Sequence, residues 1–341
     1  MTDLKDLTFD ELTELVKSMG EGAFRAKQIF SWLHKGAEDF SGMKNVGKSL
    51  CGKLSEEYYV SCPEIVLKKV SKLDGTVKYL FRLDDGHCIE TVVMKYEYGL
   101  SVCISSQVGC RMGCGFCAST IGGKVRDLTP GEILNQVIFA SKDMGQRISN
   151  IVIMGIGEPF DNFDNIIKFL KNVTHPEGLN IGWRHISLST CGIVPKIIEL
   201  ADMKTQLNLC ISLHAPNDEL RNTIMPVNRK YNISELMKAV KYYIEKTNRR
   251  ITFEYSLIKG VNDSEKQAKE LAELLKGMLC HVNLIPVNHV EESGFRKSTS
   301  VNEFRYYLEN HGINATVRRE LGSDISASCG QLRKQYTDRR C

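Results

Sequence analysis

The sequence lacks the features of a membrane or secreted protein. No apolar run reaches the roughly 18 residues that a helix needs to cross a bilayer. Residues 1–10 are acidic and polar, so we expect no secretory signal and a cytoplasmic location. The net charge of +4 is too small to indicate a nucleic-acid partner by itself. The 341 residues, without a repeat or low-complexity tract, suffice for one large domain and a small accessory one.

Cysteine, by contrast, is abundant, with twelve residues. In a reducing cytosol most of these thiols should be free, and any special ones are expected to be metal ligands or catalysts rather than parts of a disulfide framework. We expect ordinary core or surface roles for Cys51, Cys62, Cys88, Cys210 and Cys280.

The hydrophobic pattern divides the chain into three regions. Residues 1–58 predict three short helices, the first opened by a capping box at Thr8 and Glu11. Residues 59–98 change to a period of two and predict a β-hairpin around a turn at 84–86. Residues 99–336 alternate strand and helix patterns, as a catalytic core would.

Six strand candidates in the third region indicate an α/β fold. They are residues 100–105, 150–154, 185–189, 207–213, 251–257 and 282–286, with amphipathic helical stretches such as 129–142 and 165–173 between them. Six strand–helix units predict a parallel sheet curled into a partial (β/α)6 barrel. Such a barrel is open to a large substrate, and its chemistry lies at the carboxyl ends of the strands.

The strongest motif is a short cysteine loop after the first barrel strand. Cys110, Cys114 and Cys117 form a C-x3-C-x2-C pattern. Three thiolates in one loop can bind three irons of a 4Fe–4S cluster and leave the fourth iron open to a small molecule. Zinc would need a fourth ligand, and no second cysteine pair stands nearby. The spacing resembles that of the radical S-adenosylmethionine (SAM) superfamily, in which the open iron binds SAM and electron transfer generates a radical from it.

Polar residues at the ends of later strands are candidate cofactor ligands. Gly157 would let the backbone approach a ligand closely, and Glu158 could accept hydrogen bonds from an ammonium group. Residues 154–159 also fit a tight strand-to-helix turn. The ends of the third and fourth strands add Ser189, Ser212, Leu213 and His214. Each alone is compatible with a structural role, but their shared position at strand ends favours cofactor binding.

Several motifs, in a fixed order, resemble those of the bacterial RlmN family of dual-specificity RNA methyltransferases. They are residues 24–28 (FRAKQ), 103–107 (CISSQ), 154–159 (MGIGEP), 212–216 (SLHAP), 286–288 (PVN) and 329–332 (CGQL). The resemblance covers nearly the whole chain. It implies a radical SAM barrel, one 4Fe–4S cluster, two SAM molecules per turnover, and methylation of adenine C2 in 23S rRNA (adenosine 2503) and tRNA (adenosine 37).

The resemblance also implies roles for four further residues. Cys329 matches a cysteine that one SAM molecule methylates, after which a radical from a second SAM removes a hydrogen from that methyl group and the carbon radical adds to adenine. Cys103 matches the thiol that attacks the covalent intermediate and forms a transient disulfide with Cys329. Glu90 matches a proton acceptor and Asn288 a cofactor contact. A thiolate intermediate is chemically reasonable because adenine C2 is electron-poor and cannot attack a sulfonium itself.

The implied partners are 23S rRNA, tRNA and an electron donor such as flavodoxin or ferredoxin, with no membrane partner and a monomeric chain. Candidate phosphate contacts are basic side chains near the second helix, the hairpin and the C-terminal tail: Arg25, Lys27, Lys68, Lys69, Lys72, Arg318, Arg319, Arg333 and Lys334.

Two alternatives stay open. A Cfr-type relative would methylate C8 of the same rRNA adenine with the same cluster and cysteines, although Pro159 and residues 24–28 fit the C2 family better. A non-catalytic iron–sulfur protein that binds RNA or senses redox state would not cleave SAM at all.

Overall fold

The computed structural model describes residues 1–286 and 294–327. Its first region is helical, as the sequence predicts. A two-stranded sheet and three helices form it: β1 (Thr2–Asp3), α1 (Phe9–Ser18), α2 (Phe24–His34), α3 (Lys48–Glu57) and β2 (Tyr58–Tyr59). The predicted capping box is present, since Thr8 Oγ1 accepts from the Glu11 N–H and the Glu11 carboxylate accepts from the Thr8 N–H. These helices enclose a small apolar core of their own.

The second region is an antiparallel run of strands. Its elements are β3 (Glu64–Val70), β4 (Val77–Arg82), β5 (Cys88–Tyr96) and β6 (Gly99–Cys103). The predicted hairpin is β4 and β5, joined through the turn at 84–86. β5 also pairs with β6, the first barrel strand, so the hairpin is continuous with the barrel sheet. The sequence did not predict this continuity.

The third region is the α/β core. Its strands after β6 are β7 (Gln107–Gly109), β8 (Lys124–Asp127), β9 (Ile148–Ile153), β10 (Ile186–Thr190), β11 (Asn208–Ser212), β12 (Ile251–Leu257), β13 (Cys280–Pro286) and β14 (Ala315–Val317). Its helices are α4 (Pro130–Met144), α5 (Phe163–Thr174), α6 (Val194–Asp202), α7 (Asp218–Ile224), α8 (Ile233–Thr247), α9 (Glu265–Leu275) and α10 (Val301–Asn310).

The main sheet has ten strands in the order β14-β13-β12-β11-β10-β9-β6-β5-β4-β3. The part from β6 to β14 is parallel throughout, and it contains all six predicted barrel strands. β14 extends it by a seventh strand that the sequence analysis missed. β7 and β8 pair with each other outside this sheet. The α/β class and the barrel-type sheet are therefore confirmed, with one more parallel strand than expected.

Helices pack on the sheet because their apolar residues recur at helical spacing. α4 begins at a second capping box, formed by Thr129 and Glu132, and ends at Gly145, whose φ of +61° favours glycine. Its apolar face packs with α5, α6, α8 and the strands in one continuous core. In the part of the chain that the structure describes, no helix combines the length and the apolar character needed to cross a membrane.

The N-terminal segment is anchored on the core helices by buried polar contacts. Lys5 Nζ donates to the Ser61 carbonyl at 2.7 Å and to Asn135 Oδ1 of α4 at 2.8 Å. The Gly131 N–H, at the start of α4, donates to the Asp6 carboxylate at 2.8 Å. The helical region is therefore fixed to the catalytic core by its first residues.

Candidate active site

The predicted cluster loop lies directly after β7. Its backbone is held at both ends: the Cys110 N–H donates to the Gly123 carbonyl at 3.0 Å, and the Gly115 N–H donates to the Ile224 carbonyl at 2.9 Å. Gly113 has a φ of +71°, which glycine adopts without strain. The loop is therefore shaped by the surrounding backbone and by one required glycine.

The three loop thiols lie close enough to influence one another. Burial, with a smaller contribution from the neighbouring Cys117, raises the pKa of Cys110 to about 12. Burial and both neighbours also raise the pKa of Cys114. A bound cation would be needed to hold all three of these neighbouring groups as thiolates.

The separation of the three thiols is compatible with a multi-iron cluster. Among the described residues, no three His, Cys, Asp or Glu side chains converge on one point as the ligands of one metal ion would. Each thiolate of a 4Fe–4S cluster binds a different iron, so its cysteines do not need to converge.

An apolar shell surrounds the loop. Phe116, which the sequence suggested as a shield, packs edge-on against the His214 ring with centroids 4.7 Å apart. Ile224, Met225 and Cys191 belong to the same apolar cluster. This apolar contact limits solvent access to one side of the loop, while Arg111, Gly113 and Gly115 remain exposed.

The turn after β9 requires glycine because atoms of residues 104–107 lie directly against it. A Cβ on Gly157, whose φ is +111°, would come within 2.6 Å of Ser106 Oγ. A Cβ on Gly155 would come within 2.5 Å of the Ile104 carbonyl oxygen. This close approach lets the turn pack on the strand that leads into the cluster loop, and the two predicted motifs are therefore adjacent.

Glu158 is buried, and its carboxylate already has protein partners. It accepts from Thr190 Oγ1 at 2.7 Å, from the Cys191 N–H at 2.8 Å and from the Phe160 N–H at 3.0 Å. Burial raises its pKa despite these donors. The side chain expected to bind an ammonium group therefore joins the ends of β9 and β10, which leaves the backbone of the glycine turn as the surface available to a cofactor.

The predicted residues of β10 and β11 meet. Ser189 Oγ and Ser212 Oγ are 3.2 Å apart. The N–H groups of Leu213 and His214 both donate to the Glu254 carbonyl, at 3.1 and 3.2 Å.

The His214 ring is fixed as a neutral group. Its Nδ1 accepts from the Ser256 N–H at 2.9 Å, so the proton lies on Nε2. Burial lowers its pKa to about 3. His214 can therefore donate a hydrogen bond near the cluster loop without carrying charge.

Two of the candidate catalytic residues line one cavity. Glu90 of β5 and Cys103 of β6 line it together with Met154 and Gly155 of the glycine turn. Its other lining residues come from β5, from the β13 end and from the segment after β14: Val92, Met94, Tyr96, Ile285, Pro286, Arg318, Arg319, Glu320, Leu321 and Ala327. The sheet is therefore curved, so that strands from both of its halves line the same cavity.

Glu90 and Cys103 have different electrostatic surroundings. Glu90 Oε2 lies 2.9 Å from the Lys78 ammonium, and both side chains are almost fully buried. Burial raises the pKa of the Cys103 thiol, and the nearby Arg318 opposes this effect. The cavity thus holds an ion-paired carboxylate beside a protonated thiol.

Comparisons with known proteins agree with this geometry. The sequence profile of the Radical SAM superfamily matches residues 104–310, and that of the "Ribosomal RNA large subunit methyltransferase N-terminal domain" matches residues 2–60. A "Probable dual-specificity RNA methyltransferase RlmN" of Clostridium perfringens (strain SM101 / Type A) is 58% identical over 339 residues, which are 98% of each chain. A protein of the same name from Thermoanaerobacter sp. (strain X514) is 57% identical over the full length of both chains. The chain belongs to the RlmN family.

A solved structure supports the fold of this RlmN-family chain. A radical SAM methyltransferase from Sphaerobacter thermophilus is 45% identical, with a TM-score of 0.91 over 97% of this chain and 99% of that one. Membership in the Radical SAM superfamily gives a 4Fe–4S cluster and SAM as cofactors. Cys110, Cys114 and Cys117 would hold the cluster, since their loop fits it.

Three buried polar residues near the site were missed by the sequence analysis. Arg221 of α7 donates to the carbonyls of Cys191, Leu213 and Ser212 at 2.7 to 3.0 Å, so it fixes the ends of β10 and β11. Gln107 accepts from the Glu158 N–H at 2.9 Å and so joins the cluster-loop strand to the glycine turn. Glu254 of β12 is buried beside Arg318 and Asn283.

The candidate phosphate contacts fall into two groups. Arg318 and Arg319 line the cavity. Lys27 and Lys68 pair with acidic side chains, and Arg25 donates to the Asn45 carbonyl, so these cations already have protein partners.

Some predicted residues cannot be placed. Cys329, Asn288, Arg333 and Lys334 lie outside the described residues. None of the ten described cysteines is in a disulfide. The proposed pairing of Cys103 with Cys329 therefore stays a prediction.

Proposed function

We propose that this chain methylates C2 of adenine in 23S rRNA, at adenosine 2503, and in tRNA, at adenosine 37, through a methylated cysteine. The observation that carries the proposal is the shared cavity. Glu90, Cys103 and the glycine turn of the SAM motif all line it, together with Ala327, which precedes Cys329 by two residues in the sequence. A methylation that needs a carboxylate, two thiols and SAM would use these groups together.

Each of the three candidate catalytic residues has a separate chemical role. When bound, the cluster supplies the electron that cleaves SAM and generates the hydrogen-abstracting radical. Cys329 accepts a methyl group from one SAM molecule and later carries the carbon that joins adenine C2. Glu90 accepts the proton that C2 loses. The radical adduct gives one electron to an oxidised redox partner. The Cys103 thiolate then attacks the sulfur of Cys329; the electron pair of the broken S–C bond passes to the carbon on adenine, which takes up a proton to become the methyl group, and a disulfide remains.

The cofactor contacts are proposed at the strand ends. The backbone around Gly157 and Glu158, the serines Ser189 and Ser212, and His214 with the adjacent Leu213 would bind SAM, with Asn288 as a further contact. The proximity of Ser189 to Ser212 and the half-buried backbone of Gly155 and Gly157 support this arrangement. One cluster and two SAM molecules serve each turnover.

The cellular setting is also a proposal. We infer that the chain works in the cytoplasm as a monomer, with flavodoxin or ferredoxin as its electron donor. Size-exclusion chromatography with light scattering tests the monomer. Reduction of the cluster by each donor, followed by electron paramagnetic resonance, tests the donor.

The test of the activity is nucleoside analysis of RNA treated with the reconstituted protein. The protein is incubated without oxygen with dithionite, SAM and either a 23S rRNA fragment or tRNA. We expect 5′-deoxyadenosine and 2-methyladenosine. The product 8-methyladenosine would instead indicate a Cfr-type enzyme. Absence of both methylated nucleosides and of 5′-deoxyadenosine would indicate a non-catalytic iron–sulfur protein.

A further inference from the structure

A buried lysine of β4 contacts two parts of the catalytic cavity. Lys78 Nζ lies 2.9 Å from Glu90 Oε2 and donates to the Ser326 carbonyl, also at 2.9 Å. The Lys78 and Glu90 side chains are 0% and 2% exposed. One ammonium therefore bonds both the candidate proton acceptor and the backbone three residues before Cys329.

Burial of this ion pair calls for an explanation. Removing an ammonium and a carboxylate from water is costly, and their mutual attraction repays the cost only partly. An apolar pair of similar volume would usually stabilise a sheet as well or better. The pair directly adjoins a cavity in which a carboxylate is needed, so function rather than stability accounts for it.

The segment that reaches Lys78 is fixed at several points. The Asp324 carboxylate accepts from Ser71 Oγ at 2.6 Å and from the Lys72 N–H at 2.9 Å. The Gly322 N–H donates to the Asp74 carboxylate at 2.8 Å. Residues 322–326 therefore lie against the β3–β4 turn, and the Ser326 carbonyl is held where the lysine meets it.

We propose that Lys78 is a positioning residue that keeps the Glu90 carboxylate ionised and fixes the start of the cysteine-bearing C-terminal segment beside it. This inference rests on the proposed function, because it assumes that Glu90 accepts the adenine proton. The carboxylate can do so only if it is unprotonated beforehand. A buried carboxylate without a neighbouring cation tends to bind a proton instead.

Other charged or titratable groups surround Glu90. They line the same cavity and are Tyr96 of β5, Cys103 of β6, and Arg318, Arg319 and Glu320 after β14. Arg318 and Arg319 could also stabilise a carboxylate, but Lys78 makes a direct ion pair with Glu90 at 2.9 Å. Loss of Lys78 should therefore change the protonation of Glu90 before that of the other groups.

The test compares Lys78→Gln, which keeps a hydrogen-bond donor but no charge, with Lys78→Arg, which keeps both. Each cluster-loaded full-length variant is assayed between about pH 6 and 9. One readout is methylation of Cys329 by peptide mass spectrometry, and the other is 2-methyladenosine in RNA. For Lys78→Gln we expect near-normal Cys329 methylation, RNA methylation slower by about a hundredfold, and an acidic limb moved to higher pH. Lys78→Arg should keep the wild-type pH profile.

Lys95→Met is the matched control, since Lys95 is exposed on β5 and should alter neither readout. A wild-type pH profile in Lys78→Gln, or equal losses in both readouts, would overturn the proposal.

A second comparison remains decisive if the single variant does not fold. In the Glu90→Gln background, Lys78→Gln removes the charge of the lysine, keeps a donor for the Ser326 carbonyl and should not slow RNA methylation further; a further tenfold loss would contradict action through Glu90. If the wild-type protein methylates no RNA, the proposed function fails instead.

Discussion

Each of the three loop cysteines is predicted to bind one iron, and no neighbouring side chain is expected to replace it. Cys114→Ala should therefore remove most of the bound iron and the brown colour, because two remaining thiolates hold a 4Fe–4S cluster poorly. Iron analysis and visible absorbance after anaerobic reconstitution measure the effect. Cys280→Ala, at a buried cysteine of β13, is the control and should keep its cluster. Full iron content in Cys114→Ala would refute the ligand assignment.

A buried histidine makes the stability of the protein depend on pH. His34 of α2 has a pKa lowered to about 4 by burial, against an ordinary value of 6.5. Between these values the unfolded chain binds a proton that the folded chain excludes, so stability falls as pH drops from about 6.5 to 4. The loss from this residue is at most ~3 kcal/mol.

His34→Gln should reduce this loss, since glutamine does not titrate and can still donate to the Phe30 carbonyl that His34 Nδ1 contacts. Urea unfolding at pH 7 and at pH 5 measures it. Substitution of His311, the exposed residue that directly follows α10, should leave the pH dependence unchanged. An identical pH dependence in His34→Gln and wild type would contradict the account.

At the scale of elements, the single helical turn Leu4–Asp6, which follows β1, fixes the helical region to α4. Lys5→Met removes the donor to Ser61 and Asn135 and leaves buried acceptors unsatisfied. We expect the free energy of unfolding to fall by about 2–4 kcal/mol. Urea unfolding measures the change, with Lys17→Met, at an exposed lysine of α1, as the control. Equal stabilities of the two variants would show that this contact does not anchor the region.

The elements differ in how far the sequence predicts them. The capping box at Thr8 and the period-two pattern of residues 77–94 are local signals. The predicted helix start and the predicted β4–β5 hairpin are both confirmed. β14 has three residues, too few to show a pattern. The pairing of β5 with β6 joins two regions that composition separates, so local periodicity could not show it.

The candidate site shows the same contrast. The cysteine spacing and the strand-end residues could be identified because chemistry concentrates them in short motifs. Lys78 and Arg221 could not, because their importance lies in partners distant in sequence, such as Glu90 and Ser326 for Lys78. A lysine or arginine in sequence looks the same whether it is in water or buried beside a carboxylate.

At the scale of the whole molecule, sheet curvature brings the two catalytic halves together. β5 and β6 contribute Glu90 and Cys103 from one side of the cavity, while β13 and the segment after β14 approach from the other. The hydrogen bonds of Asp324 and Asp74 hold that segment on the β3–β4 turn. Such an arrangement suits a reaction in which a C-terminal cysteine must reach both the adenine and Cys103.

The measurement that tests this account most directly is a denaturing gel of the Cys103→Ala and Cys329→Ala variants after reaction with RNA and SAM. Cys103→Ala keeps the methyl acceptor but lacks the thiolate that releases the product. We predict that it accumulates a covalent protein–RNA band that ribonuclease removes. Cys329→Ala should form neither this band nor methylated RNA. If both variants are inactive and neither forms the adduct, the two-cysteine mechanism is wrong for this protein.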